Sequence, residues 1–420
     1  MEQSRILCGL LGEHLGHSFS PQIHRELADY PYELYEVERE ELGHFMETTE
    51  LTAFNVTIPY KKDVIPYMTE LTNAARRIGA VNTVTRLPNG GFRGDNTDYY
   101  GFSKMVEASG IVVADKKVLV LGTGGASVTV NAVLADLGAR SIVSVSRTGN
   151  VNYENVYTLH ADADVIVNTT PVGMYPSTGI SPIRLSEFPR LSGVLDLIYN
   201  PARTALLLEA ERLGLPAMNG LLMLVAQAKR ASELFLDTVL DDAVIPAIVR
   251  KIRLETENLI LIGMPGCGKS TAARLLSELS GREEIDTDKL FPNYSGGKSP
   301  AEMICEDGEP AFRATETEVV RAVGKLSGKI IATGGGVPTI PANYDLLHQN
   351  GIIVYLMRDL TYLPTAGRPI SQGKGLEALY NERKDAYERL ADVAVRGRRD
   401  PKATAKAILD AFRSAIQKET

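Results

Sequence analysis

Short apolar runs, each cut off by glycine, proline or a polar cluster, alternate along this chain with stretches whose apolar residues return about every three to four positions. Unbroken runs rich in aliphatic and β-branched residues read as strands buried on both faces. They are expected at residues 5–11, at Tyr32–Val37, in the segment ending at Pro59, at residues 116–121, at Ser141–Val145, at Asp164–Asn168 and from Gly193 onward. Further runs lie at Asn258–Ile262, in a segment ending near Asp286, at Lys329–Ala332 and at Gly351–Leu356. Helical periodicity is expected at Glu40–Glu47, 99–109, Val130–Leu137, from Leu221 through Gln227, at Ala272–Leu279 and around Asn381–Tyr387. Strand and helix by turns give an α/β fold class.

At 420 residues the chain exceeds one ordinary domain, and two or three are expected. Apolar residues make up 44% of it, enough for a core in each. The net charge of −7 argues against a nucleic-acid partner while leaving room for local cations that hold small anions. Cys8, Cys267 and Cys305 match neither a disulfide framework nor a zinc site, so free thiols in a reducing compartment are expected. No apolar run approaches the ~18 residues of a membrane span, and nothing near Met1 reads as a signal segment. No membrane partner and a cytoplasmic location are expected.

The most specific chemistry lies past the middle. The run Asn258–Ile262 breaks into a loop in which Gly263, Gly268, Lys269 and Ser270 fit G-x-x-x-x-G-K-[ST]. Glycines let backbone N–H groups turn inward around a polyphosphate, and the helix that follows adds positive potential at its N-terminus. Lys269 can reach β- and γ-phosphates, and the Ser270 hydroxyl can ligate Mg²⁺. This loop opens a second domain, so the residues before it need their own account.

Ser18 and Ser20, just before Pro21, read as the start of a helix capped by serine. Two hydroxyls there can also hold a carboxylate, and alone they favour capping. A strand then ends at Pro59 with Lys61 close behind; Asn82 follows in Gly79–Thr83, and Asp98 in Gly94–Gly101. Singly, Lys61 is a surface lysine and Asp98 a helix cap. In this order and spacing the four stretches resemble the substrate-binding half of the shikimate dehydrogenases. That resemblance implies that Ser18 and Ser20 bind the shikimate carboxylate, that Lys61 and Asp98 are the catalytic pair, and that Thr57, Asn82, Tyr199 and Gln227 also contact substrate. The chemistry agrees: reduction of a ketone needs a proton donor beside the carbonyl as hydride arrives.

Residues 116–121 run into Gly122, Gly124 and Gly125, then into a helix, as in a nucleotide-binding βαβ unit. Ser127 stands where G-x-G-x-x-G has its third glycine. An NAD enzyme usually ends the next strand with Asp or Glu; this chain has Ser146, Arg147 and Thr148, which suit a 2′-phosphate. The places where the family often adds further basic residues hold Val128 and Val151. The resemblance extends through residue 250 or so and implies an NADP(H) site at Gly122, Gly124, Gly125, Ala126, Ser146, Arg147, Thr148, Thr169, Met174 and Gly220.

After the phosphate loop come Asp286 and Asp288 at a strand end, Arg313 on a helix, the glycines Gly334–Gly336, Arg368 in a polar loop, Arg383 on a helix and Arg399 before the last helix. This series resembles shikimate kinase across about residues 257–415. It implies that Asp288, Arg313, Gly335 and Arg383 bind shikimate, with Asp288 orienting or deprotonating the attacking hydroxyl. ATP would be bound by Gly263, Gly266, Cys267, Gly268, Lys269, Ser270, Thr271, the lid residue Arg368 and Arg399. Mg²⁺ would be held by Ser270 and Asp286; Lys269 and Arg368 would share in catalysis.

The expected protein is thus a bifunctional enzyme of the shikimate pathway. NADPH reduces 3-dehydroshikimate to shikimate, and ATP phosphorylates shikimate to shikimate 3-phosphate. Expected limits are 1–253 for a dehydrogenase-like part (substrate portion about 1–100 and 220–253, Rossmann portion about 101–219), 254–258 for a short linker and 259–420 for a P-loop α/β/α kinase-like domain with a parallel sheet. Two other readings stand: an NAD-dependent quinate/shikimate dehydrogenase fused to the same kinase, and a metabolite-binding regulator without turnover. The first is disfavoured by Ser146, the second by the presence of Lys61, Asp98, Lys269, Asp286 and Asp288.

Overall fold

A computed structural model describes residues 6–16, 18–363 and 375–419. The strands form three sheets. In the first, β1 (Cys8–Gly12), β2 (Tyr32–Glu36), β3 (Ala53–Val56), β4 (Glu70–Leu71), β5 (Thr83–Arg86) and β6 (Phe92–Asp95) take the order β2-β1-β3-β5-β6-β4. β1 lies parallel to β2 and β3, and β3, β5 and β6 run antiparallel. β3 is buried at each of its positions, so its Val, Phe and Ala side chains pack on both faces.

The second sheet is wholly parallel: β7 (Lys117–Leu121), β8 (Ser141–Val145), β9 (Val165–Asn168), β10 (Gly193–Asp196) and β11 (Ala217–Asn219), ordered β11-β10-β9-β7-β8. The chain leaves β7 for β8 on one side and then crosses to β9 on the other. That reversal opens a crevice beyond the carboxyl end of β7, where α/β sheets bind nucleotides. The third sheet, also parallel, orders β12 (Asn258–Ile262), β13 (Glu284–Asp286), β14 (Ile330–Ala332), β15 (Gly351–Met357) and β16 (Val393–Arg396) as β13-β14-β12-β15-β16. Its reversal point is β12, whose residues are fully buried beneath Leu276, Ile408 and Phe412.

The chain divides into two compact units: residues 1–171, 182–199 and 209–249, and residues 172–181, 200–208 and 250–420. Within the second, Arg203 donates its backbone N–H to the Gln349 carbonyl at 2.8 Å and sets its guanidinium 3.7 Å from Glu257, while Lys325 reaches the Pro176 carbonyl at 3.1 Å. The stretch 254–258, expected as a linker, holds a helix end and a strand start: Val244–Thr256 is one helix and β12 begins at Asn258. A charged stretch without glycine or proline has nothing to stop the helix, and Glu257 is buried against Arg253 and Arg203.

Several local readings shift. Among the described residues β1 starts at Cys8, with residues 6 and 7 outside it and residue 5 not described, and the helix expected at Glu40–Glu47 is Leu42–Thr48. Serine does not cap the first helix, Ser20–Leu27: Phe19 occupies the cap position, and Ser20 is the first helical residue. Nor is Asp98 a cap; it is the first residue of the helix Asp98–Ser109, with Thr97 before it. No helix among the described residues is long and apolar enough to cross a membrane.

Candidate active sites

In the first unit, Lys61 follows the end of β3 and Asp98 opens a helix after β6, and Lys61 Nζ lies 2.5 Å from Asp98 Oδ2. The backbone holds the lysine in place, because the Lys61 carbonyl accepts the Val81 N–H at 2.7 Å. Asn82 is 2% exposed, and its Oδ1 accepts from the Thr97 N–H at 2.7 Å and from the Thr83 hydroxyl at 3.1 Å. Its Nδ2 points to Gln227 Oε1 at 3.4 Å. Gln227 comes this close because Gly101 lets two helices meet backbone to backbone: a Cβ there would sit 2.6 Å from the Met223 carbonyl. Lys61, Asp98, Asn82 and Gln227 therefore converge.

Ser18 and Ser20 stand on the turn into the first helix, where the Ser18 hydroxyl accepts the Ser20 N–H at 3.2 Å. Thr57 hangs from β1 through a 2.9 Å bond to the Leu11 carbonyl. Tyr199 packs its ring 5.7 Å from that of Phe19, and burial pushes its phenol pKa up. Sequence reading missed the buried polar residues behind these groups. Tyr32 donates to Asn55 Oδ1 at 2.8 Å, and Asn55 Nδ2 donates to the Asn82 carbonyl at 3.2 Å and to Thr83 at 3.1 Å. Nothing in a strand sequence marks an asparagine as an inward-facing junction until its partners are known.

The putting-together of the second sheet places Gly122 and Gly124 beyond β7, and Gly125 and Ala126 in the first turn of the helix Gly125–Asp136. Gly122 takes φ 101° and lies against Thr169, whose hydroxyl donates to the Leu121 carbonyl at 2.7 Å. Ser127 needs no glycine substitute: it is buried in the helix and donates back to the Gly124 carbonyl at 2.6 Å. Ser146, Arg147 and Thr148 follow β8, the neighbour of β7, with Arg147 and Thr148 exposed. An exposed guanidinium and two hydroxyls fit a 2′-phosphate. Gly220 is required where it stands, since a Cβ would come 2.1 Å from the Leu197 carbonyl. Met174 is exposed and belongs to the segment 172–181 that packs with the second unit.

In the second unit, the loop between β12 and the helix Lys269–Ser280 uses Gly263, Gly266 and Gly268 at φ 144°, 82° and 105°. Lys269 Nζ curls back to the carbonyls of Gly263 and Met264 at 2.8 and 3.2 Å, and Cys267 is buried beneath the loop. Ser270 and Thr271 are exposed at the helix start. The Ser270 hydroxyl donates to Asp286 Oδ2 at 2.7 Å; a hydroxyl and a carboxylate this close form an oxygen-donor set that suits Mg²⁺. Asp286 Oδ1 also accepts the Asp288 N–H at 3.0 Å, which fixes the second aspartate.

Arg313 lies over Gly336 and pairs with Glu316 at 2.7 Å and Glu309 at 3.1 Å. Glu316 was not foreseen, though its place three residues after Arg313 on one helix is a spacing that pairs side chains. Burial raises its carboxyl pKa and Arg313 opposes that rise; Asp288 and Arg383 are the other charges it feels. Arg313, Glu316, Asp288 and Arg383 therefore form one charged group around the glycine turn Gly334–Gly336. Arg383 is 3% exposed, and its Nε has no hydrogen-bond partner among the described residues. Arg399 is exposed between β16 and the helix Pro401–Glu419. Arg368 lies outside the described residues.

Comparisons with known proteins agree with this division. Residues 10–84 match the family model for the shikimate dehydrogenase substrate binding domain, and residues 265–413 match that for shikimate kinase. The chain is 37% identical over 254 residues to the NADP(+) shikimate dehydrogenase of Clostridium beijerinckii, covering 56% of this chain and 93% of that protein. Among solved structures it is similar to a chorismate mutase/shikimate 5-dehydrogenase fusion protein from Clostridium acetobutylicum (TM-score 0.56, 36% identity, 59% of this chain and 97% of that one). It is also similar to the Thermus thermophilus shikimate 5-dehydrogenase in complex with NADP(H) and shikimate (TM-score 0.52, 30% identity, 59% and 99% covered).

Proposed function

The chain belongs to the shikimate dehydrogenase family and carries a shikimate kinase domain behind it, a bifunctional enzyme of the shikimate pathway using NADP and ATP, and on that premise we propose the reactions, their order and the residues that perform them. The first half, residues 1–253, reduces 3-dehydroshikimate to shikimate. The second, residues 259–420, transfers the γ-phosphoryl group of ATP to a shikimate hydroxyl, giving shikimate 3-phosphate. A cytoplasmic location belongs to the same reading.

The observation that carries the first step is the contact of Lys61 with Asp98 beside Asn82 and Gln227. NADPH supplies the hydride when bound. Lys61 donates a proton to the ketone oxygen as that charge develops, and Asp98 holds the ammonium in place. Ser18 and Ser20 hold the carboxylate end, and Asn82 and Gln227 orient ring hydroxyls. Arg147 with Ser146 and Thr148 selects the 2′-phosphate.

In the second half Lys269 leaves its carbonyl partners for the β- and γ-phosphates. Mg²⁺, held by Ser270 and Asp286, neutralises phosphate charge when bound. Arg313 and Arg383 hold the substrate carboxylate, and Glu316 keeps Arg313 oriented while it waits. Asp288 accepts the proton of the attacking hydroxyl. One reaction tests the whole reading: full-length chain, 3-dehydroshikimate, NADPH, ATP and Mg²⁺, with products identified by mass. Shikimate 3-phosphate is expected. Shikimate alone would defeat the kinase assignment, and no NADPH consumption would defeat the dehydrogenase assignment.

A further inference from the structure

The turn Gly334–Gly336 raises a physical difficulty. Three successive glycines have more backbone freedom than any other tripeptide, yet a substrate-binding turn must present its N–H groups in fixed directions. Something outside the turn has to hold it. The described bonds show side-chain tethers from two other elements: the Thr287 hydroxyl accepts the Gly334 N–H at 3.0 Å, and the helix Leu376–Leu390 supplies the second. Tyr387, fully buried on the helix Leu376–Leu390, donates its hydroxyl to the Gly335 carbonyl at 2.6 Å. The same hydroxyl lies 3.8 Å from Met264 Sδ in the phosphate loop. Gly335 itself presses on that loop, since a Cβ on it would come 2.6 Å from Pro265 Cγ.

Two features make Tyr387 a rigid tether. Its ring stacks on Tyr355 of β15, with centroids 5.1 Å apart and planes 24° from parallel. It also stands one helical turn from Arg383, so both project from one face of one helix. A phenylalanine would fill the same space and keep the stack. The hydroxyl adds only its polar contacts, the bond that fixes the Gly335 peptide and an interaction with the neighbouring Arg383 side chain.

We infer that Tyr387 is a positioning residue of the kinase half, its hydroxyl locking the Gly334–Gly336 turn in register with Arg383 and the phosphate loop so that the acceptor alcohol is aligned on the γ-phosphate. This rests on the reading of Asp288, Arg313, Gly335 and Arg383 as the acceptor site. Tyr387 touches neither reacting atom; it acts through Gly335.

The test is Tyr387→Phe in the full-length chain, with Tyr355→Phe as a control that removes a hydroxyl from the stacked partner. Kinase constants for shikimate and for ATP are measured separately, and dehydrogenase turnover on the same preparation reports the intact first half. Tyr387→Phe is expected to raise the shikimate KM about five- to tenfold, the worth of one hydrogen bond, with the ATP KM within about twofold of the parent. Tyr355→Phe should leave both unchanged. A shikimate KM within about twofold of the parent overturns the inference, as does an equal rise in Tyr355→Phe. A loss of ATP binding together with shikimate binding also overturns it, because the hydroxyl then serves the fold as a whole. Arg383→Ala separates the premise from the inference: if that variant leaves the shikimate KM unchanged, the acceptor-site reading fails; if it raises KM and Tyr387→Phe does not, only the role of Tyr387 fails.

Discussion

Lys61 Nζ and Asp98 Oδ2 stand 2.5 Å apart, although the lysine follows a strand and the aspartate opens a helix 37 residues later. Both are partly open to solvent, the lysine side chain 23% exposed and the aspartate 12%, so a substrate can reach the pair. Lys61→Met removes the proposed proton donor without removing its bulk. It is expected to lower the dehydrogenase kcat by about 10²- to 10⁴-fold, as loss of a general acid does, while kinase turnover of supplied shikimate stays at the parent value. Steady-state rates of both activities on one preparation check this. A kcat near the parent value would assign the proton to another group.

The hydroxyl of Ser270 and the carboxylate of Asp286 meet at 2.7 Å, and no comparable demand for a divalent ion arises at Lys61. Chelation by EDTA should therefore abolish phosphorylation and leave NADPH oxidation intact. Asp286→Asn should raise the Mg²⁺ concentration for half-maximal kinase rate roughly tenfold. A magnesium titration of the variant reads this directly; an unchanged midpoint would place the metal elsewhere.

Arg147 carries the expected discrimination for the 2′-phosphate without the further basic residues that Val128 and Val151 replace. Its loss should be costly for that reason. Arg147→Ala is expected to raise the KM for NADPH about ten- to a hundredfold, the worth of a hydrogen-bonded charge pair, and to leave the constants for NADH as they were. Parallel kinetics with the two cofactors decide the matter, since a structural defect would weaken both.

His24 is buried, with Nδ1 2.6 Å from the Tyr30 hydroxyl and its ring stacked 3.9 Å from that of Tyr32. Burial pushes its pKa down to about 3 from an ordinary 6.5. Between those values the unfolded chain takes up a proton that the folded one refuses, so stability increases with pH through this window and is fully present above about 6.5. At pH 5 the loss is on the order of 2 kcal/mol. Urea unfolding of the parent, followed by loss of dehydrogenase activity, should show an earlier midpoint at pH 5 than at pH 7.5. His24→Gln, whatever its own stability, should show a smaller difference between the two pH values. Equal differences would mean that His24 does not titrate on unfolding.

The sites were unequally legible. The phosphate loop could be read because its chemistry is local: glycines at positive φ, the lysine and the serine all lie within one strand–loop–helix. Lys61 and Asp98 could be read only as a set, since neither residue type is rare at a turn or a helix start. Glu316 and Tyr387 went unread because their meaning lies in what they touch, Arg313 in one case and a glycine carbonyl in the other. The supposed serine cap failed for a related reason: Phe19, not a serine, occupies the cap position, and Ser18, one residue before it, accepts the N–H of Ser20, the first residue of the helix.

Apolar periodicity along the chain was enough to determine an α/β protein, because the faces a strand or helix must bury are written in its own residues. The glycine spacing likewise determined where polyphosphate chemistry would lie. Only the tertiary structure decided that Val244–Thr256 runs almost directly into β12, that residues 172–181 and 200–208 pack with the second unit, and that Asn55 and Asn82 join behind the first site. Those outcomes depend on which distant groups satisfy a buried polar atom or charge. That pairing is settled by the whole packed chain, not by any window of sequence.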